Sequence, residues 1–328
     1  MNYFVMGNRE KIVKYIKENG QATVQELALS LGISLSMTHR HLKTLVGSAI
    51  LQKVGSAPRV FYIVNEGVDT HTGVVVMDDA IRQLINKNFL LITPQGQRVD
   101  GVDGFVRWCI ERGYDTEEKA HEYEKLFYKY ERIRKDGLFD GMLKFRNTFK
   151  EICVDGVYYI DFYAWEIFGK TQLGQLLLYA KQSEDREMMK NVVEIASPHI
   201  IRMIQKYRIE AIGYIPPTVK RSVQLMGVLE KSIQTNLSVI AIEKVPGEIR
   251  VPQKTLSKLK DRMDNARATI FVSDRRQFGT VLLIDDAVGS GATLNEVACK
   301  LRKQKVAKKV IGLAIVGSVK GFDVISEV

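Results

Sequence analysis

The stretch Val281 to Leu294, VLLIDDAVGSGATL, holds the residues whose types and order point most directly to chemistry. Two adjacent carboxylates, Asp285 and Asp286, precede a run of mostly small residues, Ala287, Val288, Gly289, Ser290, Gly291 and Ala292, with Thr293 after them. Backbone with few side chains can bring its N–H groups against an anion, and a helix starting there adds its dipole. The aspartates serve another purpose, because a carboxylate beside a phosphate repels it. They suit hydroxyls, a cation, or both. A vicinal diol next to a phosphate is the chemistry of a ribose 5-phosphate.

Such side chains need elements to hold them. Val281 to Ile284 is apolar and partly β-branched, which predicts a strand buried on both faces of a parallel sheet. Thr293 opens a helical pattern that runs to about Gln304. Open α/β sheets bind ligands beyond the carboxyl ends of their strands, which is where this order puts the acids and the glycines. The segment resembles the phosphoribosyl pyrophosphate (PRPP) signature of type I phosphoribosyltransferases. That resemblance implies that Asp285 and Asp286 hold the ribose 2- and 3-hydroxyls and that Ala287 to Thr293 wrap the 5-phosphate. It also implies that Mg²⁺ arrives with PRPP, with no protein-only metal site. Ala287 stands where a larger aliphatic residue is usual, and Gly289 where Thr, Ser or Ala is usual.

The surrounding pattern is α/β. Strands are expected at Ile209 to Ile215, Leu237 to Ile242, Val281 to Ile284 and Lys309 to Gly317, with a helix at Ser222 to Ser232. Four strands with crossover helices make a parallel sheet. Pro216-Pro217 leads into Thr218, Lys220 and Arg221, a turn suited to a second phosphate group. The polar excursion Lys244 to Thr280 includes Arg250, Lys254 and Arg262 and has the length of a lid. YIPPTVKRSVQL and VPQKTLSKLKDRMDNARATIF resemble the ComF-like branch of the phosphoribosyltransferases over roughly residues 195–328, with Gln253, Leu256, Ser257, Arg262, Asn265 and Phe271 at family positions. The cysteine quartet of typical ComF proteins is absent.

The first 65 residues carry a second pattern. Lys11 to Ile16 give an amphipathic helix, Thr23 with Glu26 a capping box, Gly32 a turn, and Ser34 or Ser36 the cap of a third helix to about Val46. Ile50 to Val54 and Val60 to Val64 read as two strands. TVQELALSLGIS, MTHRHLKTL and the strand pair resemble the winged helix-turn-helix of small bacterial regulators. In that geometry Ser36, Thr38, Arg40, His41 and Lys43 face a major groove of duplex DNA, and Lys53 and Arg59 touch phosphates. Residues 1–66 hold eight basic against four acidic side chains, about +4, which supports that partner modestly.

Between them, residues 74–194 read as a mostly helical connecting region, after the polar linker Asn65 to Gly73. Helices are expected at Ala80 to Asn88, Phe105 to Arg112, Thr116 to Lys135, Leu173 to Lys181 and Asp185 to Tyr207. Phe89 to Thr93 is strand-like, and Val154 to Phe162 is a hairpin turning at Asp155-Gly156. Tyr123, Phe127 and Tyr130 recur at helical spacing and read as core. FGKTQLG (Phe168 to Gly174) lacks the glycine a phosphate loop needs, so Lys170 reads as leading into a helix.

The resulting domain expectation is a winged helix over 1–66, the helical region over 74–194 and a phosphoribosyltransferase-like α/β domain over 195–328. A chain of 328 residues with 45% hydrophobic content can build two or three cores. The net charge of +10 favours a polyanionic partner. Three scattered cysteines exclude a disulfide framework or zinc knuckle, and the lack of a long apolar run or signal peptide predicts a cytoplasmic protein without membrane contact. Three functions fit: a DNA-binding regulator, expected as a homodimer, whose C-terminal domain senses PRPP or a nucleotide; a working transferase docked on nucleic acid, such as an effector in a retron-like phage-defence cassette; and a DNA-uptake accessory protein.

Overall fold

The computed structural model describes residues 8–47, 50–56, 59–64, 77–93, 96–217, 219, 221–233, 235–245 and 259–318. The chain forms two compact units, one of residues 1–86 and 101–121, the other of residues 87–100 and 122–328.

The first unit contains the expected winged helix. Helices Asn8–Asn19, Val24–Leu31 and Leu35–Gly47 precede an antiparallel hairpin, Leu51–Ser56 with Arg59–Val64. Thr23 and Glu26 cap the second helix reciprocally, at 3.3 Å and 2.7 Å. Gly32 ends it in the left-handed region at φ +64°. Ile12, Ile16, Leu27, Leu42, Leu45, Leu51 and Tyr62 fill the core. The same unit also holds the helix Gly101–Glu111, outside the expected winged-helix range.

The second unit is built on a six-stranded sheet in the order Ser238–Val239, Ala211–Tyr214, Phe278–Val288, Ala307–Gly317, Gly156–Phe162, Phe139–Asp140. The first five are parallel and the last is antiparallel. This corrects the expected hairpin at Val154 to Phe162. Gly156–Phe162 is one continuous strand, and Asp155 braces its start by accepting from Val310 N (2.7 Å) and Arg302 Nη2 (2.6 Å). The sheet therefore reaches well before residue 195, and the expected boundary there is not a structural one. The helix Met142–Thr148 packs beside the added strand.

Alternation explains why the central strands are so apolar. Leu282 and Ile284, with Ile311, Leu313 and Ile315, face a core built with helices Gln172–Ser183, Arg186–Tyr207 and Leu225–Ser232. Val281, Leu283 and Gly312 point the other way, where Gly312 lies against Leu294 of helix Ala292–Lys303. Both faces are covered, as parallel strands require. Tyr123 and Tyr130 of the aromatic series are core, with ring centroids 5.7 Å and 5.5 Å from Trp165, whereas Phe127 is half-buried at 5.9 Å from it. Lys170 directly precedes the Thr171 N-cap of Gln172–Ser183, as expected.

Cys153 and Cys299 form a disulfide across 146 residues, with Cα atoms 4.9 Å apart, correcting the expectation of isolated cysteines. It ties the segment before Gly156–Phe162 to helix Ala292–Lys303. Asn295 of that helix reinforces the tie, accepting from Cys153 N (3.0 Å) and donating to Glu151 O (2.9 Å). Among the described residues, no helix is long and apolar enough to cross a membrane.

Candidate functional site

The strand bearing the acid pair is longer than expected. Pairing with Ala307–Gly317 continues past Ile284 through Asp285 and Ala287 to Val288, whose carbonyl also accepts from Ser318 N at 3.0 Å. The aspartates thus lie within the strand's last turn of pleat and lean to opposite faces of the sheet edge. Asp286 shares a face with Leu282 and Ile284. There Lys181, from helix Gln172–Ser183, reaches it, Nζ to Oδ2 2.8 Å. Asp285 leans towards the other face, where Lys244 feels its charge.

The free backbone loop is consequently shorter than Ala287 to Thr293. Val288 is buried and its carbonyl is engaged by Ser318 N, though the residue still lines the cavity. Gly289, Ser290 and Gly291 make the turn into helix Ala292–Lys303, with Asn295 N donating to Gly291 O at 2.9 Å. Gly291 has φ +84°, and a Cβ there would run into the Phe145 ring. Ser290 Oγ accepts from Ala292 N at 3.3 Å. Thr293 is half-buried on the first turn.

One cavity of about 180 Å³ brings the acids and loop together with cationic side chains. Asp285 to Gly291 and Thr293 form one wall; Lys181, Arg221, Lys244 and Arg262 surround it, with Pro216, Pro217 and Tyr163. Of the expected phosphate-binding and lid residues, Arg221 and Arg262 are therefore present. Thr218, Lys220, Arg250 and Lys254 lie outside the described residues. Lys181, Gln182 and Lys244 were not anticipated, since nothing in their local sequence distinguishes them from solvated helix or loop lysines. Arg262 is 5% exposed, and burial lowers its pKa and that of Lys244.

Electrostatics single out Asp285. Burial, and then the charge of Asp286, push its pKa up to about 7; Lys181 and the Asp286 and Ala287 amides pull the other way. An acid held near neutrality gains most from a ligand that donates hydrogen bonds or brings positive charge.

The groove-facing residues of the winged helix divide. Ser36, Arg40, Lys43 and Lys53 are exposed and available to a polyanion. Thr38 is completely buried, its hydroxyl donating to Ser34 O at 3.0 Å, so it belongs to the core and not to the groove. His41 is half-buried, Nδ1 accepting from Arg9 Nε at 3.3 Å and Nε2 enclosed. Burial, followed by Arg9 and Arg40, lowers its pKa and so disfavours the charged form. The Arg59 side chain lies outside the described residues.

Comparison with known proteins agrees on the N-terminal part. The family model for winged helix-turn-helix DNA-binding domains matches residues 7–47. That match and the geometry define a winged helix of the DNA-binding class joined to an α/β unit. No curated protein matches the chain. Among solved structures, a hypoxanthine phosphoribosyltransferase from Staphylococcus aureus is similar to it at 16% identity and a TM-score of 0.28, covering 43% of this chain and 69% of that one. A likeness that slight bears on neither fold nor function.

Proposed function

We propose that this is a DNA-binding regulator whose α/β unit has the type I phosphoribosyltransferase architecture of the ComF-like branch and binds PRPP or a nucleotide. The observation that carries the reading is the single cavity in which a strand-end acid pair, a glycine loop opening a helix, and four cationic side chains meet. Each part answers one part of such a ligand. Gly289 to Gly291 and the start of Ala292–Lys303 receive the 5-phosphate through backbone N–H groups. Asp285 and Asp286 accept from ribose hydroxyls. Arg221, Lys244 and Arg262 meet the second phosphate group.

The acid pair also fits a hard divalent cation, of whose six oxygens two carboxylates supply part and water or a ligand the rest. Phosphate and ribose oxygens would serve in that role, so Mg²⁺ would arrive with the ligand and would supply charge neutralisation there. If displacement at ribose C1 occurs, the residues present would hold the diol and steady the leaving group. Among the described residues, Asp285 is the cavity side chain whose pKa lies near neutrality, so turnover, and not the lining, separates the sensing reading from the transferase reading. As a sensor, the protein would bind DNA as a homodimer, reading a two-fold site.

The test is calorimetric titration of the whole protein with PRPP and Mg²⁺, with and without duplex DNA, followed by assay of pyrophosphate release. Binding without turnover, together with a changed DNA affinity, is the expected result. Turnover would establish the transferase reading, and no heat from PRPP or any nucleotide would overturn both.

A further inference from the structure

Two adjacent carboxylates lining one cavity normally call for a compensating positive charge. Here that charge is already supplied by the chain. Lys181 Nζ sits 2.8 Å from Asp286 Oδ2, in a pair whose side chains are 27% and 14% exposed. Lys181 comes from the helix Gln172–Ser183, whose Leu176 and Leu177 are packed into the core, so its stem starts from a fixed place. It lines the same cavity as Gly289 to Gly291 and as Arg221, Lys244 and Arg262. An ammonium ion and a metal ion cannot share one carboxylate oxygen at such distances without strong repulsion. A ligand phosphate in the same cavity, by contrast, would offer the ammonium a new partner, because lysine is a flexible point charge.

We propose that Lys181 is a resident counter-ion of the acid pair, which keeps free divalent cations out of the empty pocket and transfers to a ligand phosphate when one enters. Asp286 is thereby released to the sugar hydroxyls at the moment it is needed. The pocket then discriminates by ligand class: a phosphorylated ribose can take the lysine away from Asp286, whereas a neutral nucleoside or a bare metal ion cannot. The transfer step rests on the ribose-phosphate reading given above; the exclusion of free metal does not.

The experiment compares the full-length wild type with Lys181→Met, Lys181→Arg and the double variant Lys181→Met with Asp286→Asn. Each is titrated calorimetrically with MgCl₂ alone and with PRPP plus Mg²⁺, and melted with and without MgCl₂; circular dichroism checks the fold. Wild type and Lys181→Arg should give no heat with MgCl₂ alone. Lys181→Met should bind Mg²⁺ and melt higher in its presence, while the double variant should not. Lys181→Met should also lose at least tenfold in affinity for PRPP, with Lys181→Arg retaining most of it. A folded Lys181→Met protein indifferent to Mg²⁺ overturns the counter-ion role. One that binds PRPP as wild type does overturns the transfer. Should wild type fail to bind PRPP at all, the ribose-phosphate reading and the transfer fall together, and the MgCl₂ arm still decides what the lysine does.

Discussion

Burial and the neighbouring Asp286 push the Asp285 pKa up to about 7, against near 4 for an exposed aspartate. Between those values the folded chain binds more protons than the unfolded one, so this group's contribution to stability falls as pH rises from about 4 through 7. Asp285→Asn should accordingly stabilise the empty protein at pH 8 by roughly 1–3 kcal/mol, read as a higher melting temperature, and have little effect at pH 4. Ligand binding should show the opposite trend. Ionised Asp285 accepts hydrogen bonds that its protonated form cannot, so PRPP affinity measured by calorimetry should rise between pH 6 and 8. In Asp285→Asn that rise should vanish. The acid pair was legible in the sequence because its members are contiguous and sit in a recognisable order. Lys181 was not, because the pair it makes spans 105 residues and depends on which face of the strand Asp286 occupies.

At the level of elements, two devices control the two ends of the protein. The first is the turn into Ala292–Lys303, where Gly291 combines a positive φ with contact against Phe145. Gly291→Ala should cost about 2–4 kcal/mol in denaturant unfolding, and Phe145→Leu in the same chain should recover part of it by making room. Sequence alone assigns that glycine to ligand approach; the structure shows that helix Met142–Thr148 also demands it. The second device is helix Leu35–Gly47. Arg40→Ala and Lys43→Ala should each weaken DNA binding and reduce the slope of log affinity against log salt by about 1. Thr38→Val should leave that slope unchanged and alter melting instead, since the hydroxyl serves Ser34 O. Most helices were foreseen, because caps and 3.6-residue periodicity are local signals, but Met142–Thr148 and Leu259–Thr269 were not. The strand Gly156–Phe162 was misread because Asp155-Gly156 has the composition of a turn, and only the partner strand Ala307–Gly317 shows that Asp155 is a brace.

Across the whole molecule, the sheet collects strands from residue 139 to residue 317, so its earlier members could not be assigned to it by local pattern. Topology of that kind is set by long-range pairing, which a single sequence does not display. If PRPP binding in the α/β unit changes DNA affinity, linkage requires DNA to change PRPP affinity by the same factor, which paired titrations in either order would verify. The bond between Cys153 and Cys299 has a consequence of another kind. A protease that cuts once anywhere between those positions would leave the two pieces covalently joined. On a denaturing gel such nicked protein should run as a single species until a thiol reductant is added, and only then part into two bands.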